Sequence, residues 1–148
     1  MSTIDAVKGL MNALEANERE TASNYLADQF VATGWTPKPL GKKDFLDVIS
    51  GLKEGIPGLI FNLHNVDEQG NKVHGTIQLA GYQTDAFNLP TLSLPPIPQM
   101  GRSVSLPAED VDFTVENEQV TRMDIHHVDG GDIHGLLQQL GTDSPIAQ

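Results

Sequence analysis

The chain has 148 residues, with 9 Lys plus Arg against 20 Asp plus Glu, a formal net charge of -11 and no cysteine. That length suits one domain around a single core, and the negative field repels phosphate backbones and anionic lipid, which excludes nucleic acid and membrane surfaces as partners. Disulfides, thiolate metal sites and cysteine nucleophiles are excluded as well, and no apolar run approaches the ~20 residues that span a bilayer.

The N-terminus, Met1-Ser2-Thr3-Ile4-Asp5, lacks the basic and then apolar regions of a signal peptide, so a cytoplasmic location is expected. Ile4, Val7, Leu10, Met11 and Leu14 recur at helical spacing and predict an amphipathic helix over 3–16. Asn17 followed by Glu20 resembles a capping arrangement that would restart a second helix to about Ala27. Phe30 to Thr33 reads as a short strand, closed by Gly34 and the turn-rich Trp35-Thr36-Pro37-Lys38-Pro39. Phe45, Val48, Ile49 and Leu52 mark a third helix, stopped by Gly55 and Pro57.

After Gly58 the apolar period changes to two. Leu59, Phe61 and Leu63 alternate with Ile60, Asn62 and His64, and a second run follows from Val73 to Gln83, with a hairpin signal at Asp67-Glu68-Gln69-Gly70-Asn71 between them. A three-residue loop with Gly70 left-handed sets Phe61 opposite Ile77 and Leu59 opposite Leu79. A two-residue loop sets them against the polar positions His74, Thr76 and Gln78, so the first register is expected. It also places His64 opposite His74 on the polar face.

Residues 85–101 carry Pro90, Pro95, Pro96 and Pro98, which cannot donate to a central ladder, and read as a long connection. Two strands, about Ser103–Glu116 and Val120–Val128, are joined at Asn117. On the first, Val111, Phe113 and Val115 share a face; on the second, Met123, Ile125 and His127 do, opposite Arg122, Asp124 and His126. Arg122 and Asp112 are placed to pair across the outer face. Asp129-Gly130-Gly131-Asp132 then leads into a short amphipathic helix, Ile133 to Gly141, that would plug the sheet, before a loose tail from Thr142 to Gln148.

The polar candidates concentrate near that plug. His127 ends an apolar stripe, where an imidazole titrating near neutrality suits acid–base work as well as a core hydrogen bond. Asp132 occupies the N-cap position of the last helix, which explains it equally well. Trp35, Tyr25, Phe61 and Met123 are candidate ligand-lining residues, and Gln83 and Gln99 candidate mouth residues. His126 and His127 are adjacent on a strand and point to opposite faces, so no metal site is expected. Phosphate loops, zinc helices and serine elbows are absent from the sequence, and no cofactor is expected.

Four segments carry a resemblance. They are Leu26-Ala27-Asp28-Gln29-Phe30-Val31, Gly55-Ile56-Pro57-Gly58-Leu59-Ile60-Phe61, Leu94-Pro95-Pro96-Ile97-Pro98 with Gly101-Arg102-Ser103-Val104, and Gly135-Leu136-Leu137-Gln138-Gln139-Leu140-Gly141. In their order the chain resembles the nuclear-transport-factor-2-like superfamily, and within it the SnoaL-like polyketide cyclase relatives. The resemblance implies an α+β cone, three N-terminal helices against a bent, mainly antiparallel sheet, with an apolar pocket and a homodimer through the sheet's outer face. It also implies a pocket Asp or His working without a cofactor, with Asp132 matching the acid–base Asp of cyclases. The chain departs from that pattern in a longer segment between Val120 and Asp132 and in Gly130-Gly131.

Two functions follow as expectations. One is a cofactor-independent isomerase, cyclase or hydrolase acting on an apolar, carbonyl-containing compound with His127 or Asp132 as acid–base. The other is a non-catalytic protein that binds or carries an apolar small molecule. A homodimer is expected on physical grounds too, because Ile60, Asn62, His64, His74, Thr76 and Gln78 form a mixed outer face that a C2 partner would cover.

Overall fold

The structure, a computed structural model, describes residues 3–141; the tail expected at 142–148 lies outside the described residues. The elements are α1 (Thr3–Glu15), α2 (Arg19–Tyr25), β1 (Leu26–Thr33), β2 (Leu40–Gly41), α3 (Lys42–Gly55), β3 (His64–Gln69), β4 (Lys72–Ile77), β5 (Ala80–Tyr82), β6 (Ser103–Ser105), β7 (Glu109–Glu116), β8 (Gln119–Ile125) and α4 (Ile133–Gln139). Six strands form one sheet in the order β2-β1-β8-β7-β4-β3, antiparallel throughout except for the parallel pair β1–β8, and β5 pairs with β6 in a second, two-stranded sheet.

The helices form where apolar periodicity demands them. α1 buries Val7, Leu10, Met11 and Leu14 and lies across β3, β4, β7 and β8, while α3 buries Phe45, Val48, Ile49 and Leu52 and packs on β1. Asn17 does not open α2. It takes the left-handed conformation (φ 57°) that ends α1, with Glu18 N–H reaching Ala13 O and Asn17 N–H reaching Leu14 O, a helix-terminating pattern of paired bonds. Glu18 is the N-cap of α2 and makes no side-chain cap bond, and α2 stops at Tyr25 because Leu26 is already extended.

The hairpin register differs from the sequence expectation. Gln69 faces Lys72 across a two-residue turn, with Gly70 left-handed (φ 61°), so the three-residue loop is not formed. The polar pairing that this turn threatens is removed by one extra residue in β3. The register slips between His64 and Asp67, where Asn65 sits at φ 54°, and above that bulge Ile60 bridges Ala80 and Gln78 N–H bonds Phe61 O. Leu59, Phe61, Ile77 and Leu79 are all buried, so the intended face is reached by another route. His64 consequently pairs with Thr76 and His74 with Asp67, not with one another.

Two further expectations change. The strand drawn through 103–116 is split by Pro107 into β6 and β7, and the last strand ends at Ile125. Arg122 lies opposite Thr114 and bonds Asp124 on its own strand at 2.9 Å; Asp112 instead takes His74 and His126, each at 2.7 Å. Proximity to that carboxylate raises the pKa of His74, and the hydrogen bonds from His126 and His74 lower that of Asp112.

One cation ties the helical layer to the sheet. Lys53 is buried, and its Nζ donates to the carbonyls of Glu15 (2.7 Å), Pro57 (2.6 Å) and Leu59 (3.2 Å), while Glu15 Oε2 accepts the Phe61 N–H at 2.8 Å. Burial lowers the Lys53 pKa below the ordinary lysine value. Lys53→Met would keep the volume and strand three carbonyls, so it should lower the unfolding free energy by about 2–4 kcal/mol in urea titrations.

Candidate functional site

Two strand ends and the start of α4 converge around one buried carboxylate. Glu109 opens β7, two residues before Val111 on the same inward face, and is only 2% exposed. Its Oε2 accepts the Val128 N–H at 3.0 Å, and His127 Nδ1 stands 3.8 Å away. Gly131 lies against the carboxyl, and Ile77 of β4 sits across from Glu109 in the ladder. Burial raises the Glu109 pKa above the ordinary glutamate range, the negative charge of Asp132 adds to that, and the Val128 bond and His127 oppose it.

His127, expected inside with Met123 and Ile125, is exposed. β8 has ended at Ile125, the last ladder bond runs from His126 N–H to Asp110 O, and the His127 side chain is 44% exposed. Asp132 is the N-cap of α4, its Oδ1 accepting Gly135 N–H at 2.8 Å. The carboxyl that the fold buries is therefore Glu109, which the sequence reading passed over. The signal was present: carrying the Val111-Phe113-Val115 alternation one step back places Glu109 on the inner face.

The remaining candidates separate. Trp35 is 3% exposed, stacks on Phe61 (centroids 6.0 Å, 15°) and Phe45 (6.3 Å, 24°), and its Nε1 has no hydrogen-bond partner among the described residues. Its carbonyl accepts the Ile133 N–H at 3.1 Å, which brings it to the start of α4, two residues from Gly131. Phe61 and Met123 are fully buried beside it in the same core. Tyr25 is elsewhere, packed on Gly9 of α1. Gln83 is not a mouth residue: it is wholly buried, its Nε2 donating to Asp85 O (3.1 Å) and Pro98 O (2.9 Å) and its Oε1 accepting Met100 N–H (2.9 Å). It pins the proline-rich connection, within which Phe87 bridges Ile97. Gln99, the other mouth candidate, is exposed on that connection.

An open cleft of about 820 Å³ lies between α2, β2 and α3 and is lined by Arg19, Lys42, Lys43 and Asp44 among others. Its cations are already engaged, Arg19 and Lys43 by Asp47 and Lys42 by Leu26 O, so chemistry is better sought at Glu109. Among the described residues no group of three or more His, Asp or Glu is placed to hold a metal ion, and no helix is long and apolar enough to cross a membrane.

No family model and no curated protein sequence matches the chain. Solved structures do match. The polyketide cyclase candidate IdmH from Streptomyces antibioticus superposes with a TM-score of 0.70 at 17% identity, over 96% of this chain and 100% of its own. A SnoaL-like polyketide cyclase candidate from Jannaschia sp. CCS1 gives 0.66 at 20% identity over 83% of each chain. An LEH-like epoxide hydrolase from M. tuberculosis gives 0.66 at 18% identity over 94% of this chain and 92% of its own. The chain therefore has the fold that these structures share, the nuclear-transport-factor-2-like fold.

Within this nuclear-transport-factor-2-like architecture, Glu109 is a carboxyl that burial makes hold its proton at a higher pH than an exposed glutamate. A raised folded-state pKa means that the native protein binds more protons than the unfolded chain between the two values. The stability contributed is complete below the unfolded pKa, near 4.3, and falls away as pH rises through the folded one. Glu109→Gln keeps an acceptor for Val128 and removes the titration. Between about pH 4 and pH 8 its melting temperature should therefore rise relative to that of the unmodified protein, measured by calorimetry across that range.

Proposed function

We propose that the protein is a cofactor-independent small-molecule enzyme of the isomerase, cyclase or hydrolase kind, with Glu109 as its acid–base group. The observation that supports this most is a carboxyl 2% exposed, with its pKa raised by burial, and a half-exposed His127 only 3.8 Å away. Protonated, such a carboxyl donates to a developing oxyanion or leaving group; ionised, it removes a proton next to a carbonyl. His127 is the route by which that proton equilibrates with water, and Asp132, held as a cap, contributes its charge. The ligand is an apolar molecule carrying an acceptor oxygen. Trp35 supports that reading, because its buried N–H lacks an acceptor within the described protein and its ring is stacked among aromatics. Proteins that share the fold are described as an LEH-like epoxide hydrolase and a polyketide cyclase candidate, which fall within the hydrolase and cyclase kinds proposed.

The test uses 2-tetralone in deuterated buffer. A base removes the α-proton, the enolate forms, and a deuteron returns to carbon, so incorporation reports proton abstraction without requiring the natural substrate. Glu109→Gln should lower the rate by at least about a hundredfold and His127→Gln by less, as suits the loss of a general base and of its proton route. Binding of 2-tetralone with no exchange above that of Glu109→Gln would assign the protein to carriage of apolar molecules instead.

A homodimer remains part of the proposal. The outer face that carries His74, Asp112 and His126 is open across β4, β7 and β8, and Ile60 is exposed on the bridged segment before β3. Light scattering should give twice the 16.0 kDa chain mass, and a monomer at micromolar concentration would exclude this part.

A further inference from the structure

The two glycines of the turn before α4 are glycine for different reasons. Gly130 has φ +83°, a conformation that L side chains rarely adopt, and a Cβ built there meets nothing within 4 Å. Gly131 is not in that region. A Cβ at Gly131 would stand 2.5 Å from both Cδ and Oε2 of Glu109 and 3.0 Å from Oε1. Its N–H donates to Val128 O at 3.0 Å, and the Val128 N–H in turn holds Glu109 Oε2. The turn cannot retreat, because α4 backs it: a Cβ at Gly135 would fall 2.1 Å from Gly130 O.

We propose that Gly131 is a positioning residue for Glu109, its bare Cα allowing the Asp129–Gly131 turn to lie on the carboxyl and keep water from it. A methyl group at this position meets the far end of a flexible side chain, while the turn itself is held at Gly130 by its close approach to Gly135 of α4, so the carboxyl is what moves. It swings away from the turn, gives up the Val128 N–H and becomes hydrated. The charged groups facing Glu109 are His127 on the segment after β8 and Asp132 at the head of α4; β4 presents apolar Ile77. Since burial is the largest influence on Glu109, hydration should carry its titration back toward that of an ordinary glutamate. This inference rests on the reading of Glu109 as the acid–base group.

The experiment titrates protein labelled with carboxyl-¹³C glutamate by NMR, using Glu109→Gln to assign the resonance. Gly131→Ala should lower the Glu109 midpoint toward that of an exposed glutamate, by a shift the titration resolves, with a small effect on thermal stability. Gly130→Ala, which strains the backbone without touching the carboxyl, should lower the melting temperature and leave the midpoint in place. A Gly131→Ala midpoint equal to or above that of the unmodified protein would overturn the inference, as would an equal shift in Gly130→Ala. The titration needs no substrate, so it is separable from the function. A shifted midpoint with 2-tetralone exchange unchanged in Glu109→Gln would keep the positioning role and discard the enzyme.

Discussion

The phase of the β3–β4 hairpin decides which of its side chains reach the buried face of the sheet, and the apolar interior depends on that phase. The two-residue turn at Gly70-Asn71 would leave β3 one residue out of phase with β4. The bulge at Asn65 inserts the missing residue, and Leu59 and Phe61 then join Ile77, Leu79, Val111, Phe113, Met123 and Ile125 on one apolar surface. Everything inside depends on that surface. Phe61 stacks on Trp35, Trp35 holds the start of α4 through its carbonyl, and α4 supports the turn over Glu109. Lys53 fastens the same segment from the helical side by gathering carbonyls from the end of α1 and from Pro57 and Leu59.

Buried polar groups are satisfied here to different degrees: Lys53 and Gln83 fully, Glu109 in part, and Trp35 Nε1 by nothing among the described residues. Lys53 and Gln83 are engaged with backbone atoms through all their N–H donors, so they lock segments. Glu109 has one firm backbone bond and a more distant imidazole, too little to favour its charged form over burial. Asp112 is the reverse case: half-exposed and bonded by two histidines, it holds its charge readily. That incomplete satisfaction of Glu109 is the ground for the acid–base role proposed for it.

Much of this was legible from periodicity. The helical spacing of Val7, Leu10 and Leu14, and of Phe45, Ile49 and Leu52, describes α1 and α3 well, and the resemblance carried by four short segments points to the right fold. Hairpin register was not legible, because a bulge at a polar Asn leaves no mark in hydrophobic alternation. The site was half legible. His127 was expected inward with Met123 and Ile125 and is exposed, because alternation says nothing about where a strand ends and β8 stops two residues earlier at Ile125. Glu109 was readable in principle, yet a charged residue after Pro107-Ala108 looks like a loop until the strand is known to begin there.

Trp35 is the only tryptophan in the chain, and it sits in the middle of the core between two phenylalanine rings. The protein therefore carries its own optical reporter at a single place. Its emission comes from one indole shielded from water, and the asymmetric stack makes that indole a source of near-ultraviolet circular dichroism. Any event that loosens the aromatic stack or brings a polar atom to Nε1 changes those signals without an added label. Far-ultraviolet ellipticity, dominated by helices and sheet, would remain a separate record of the backbone, so the packing of the interior and the integrity of the scaffold can be followed independently in one sample.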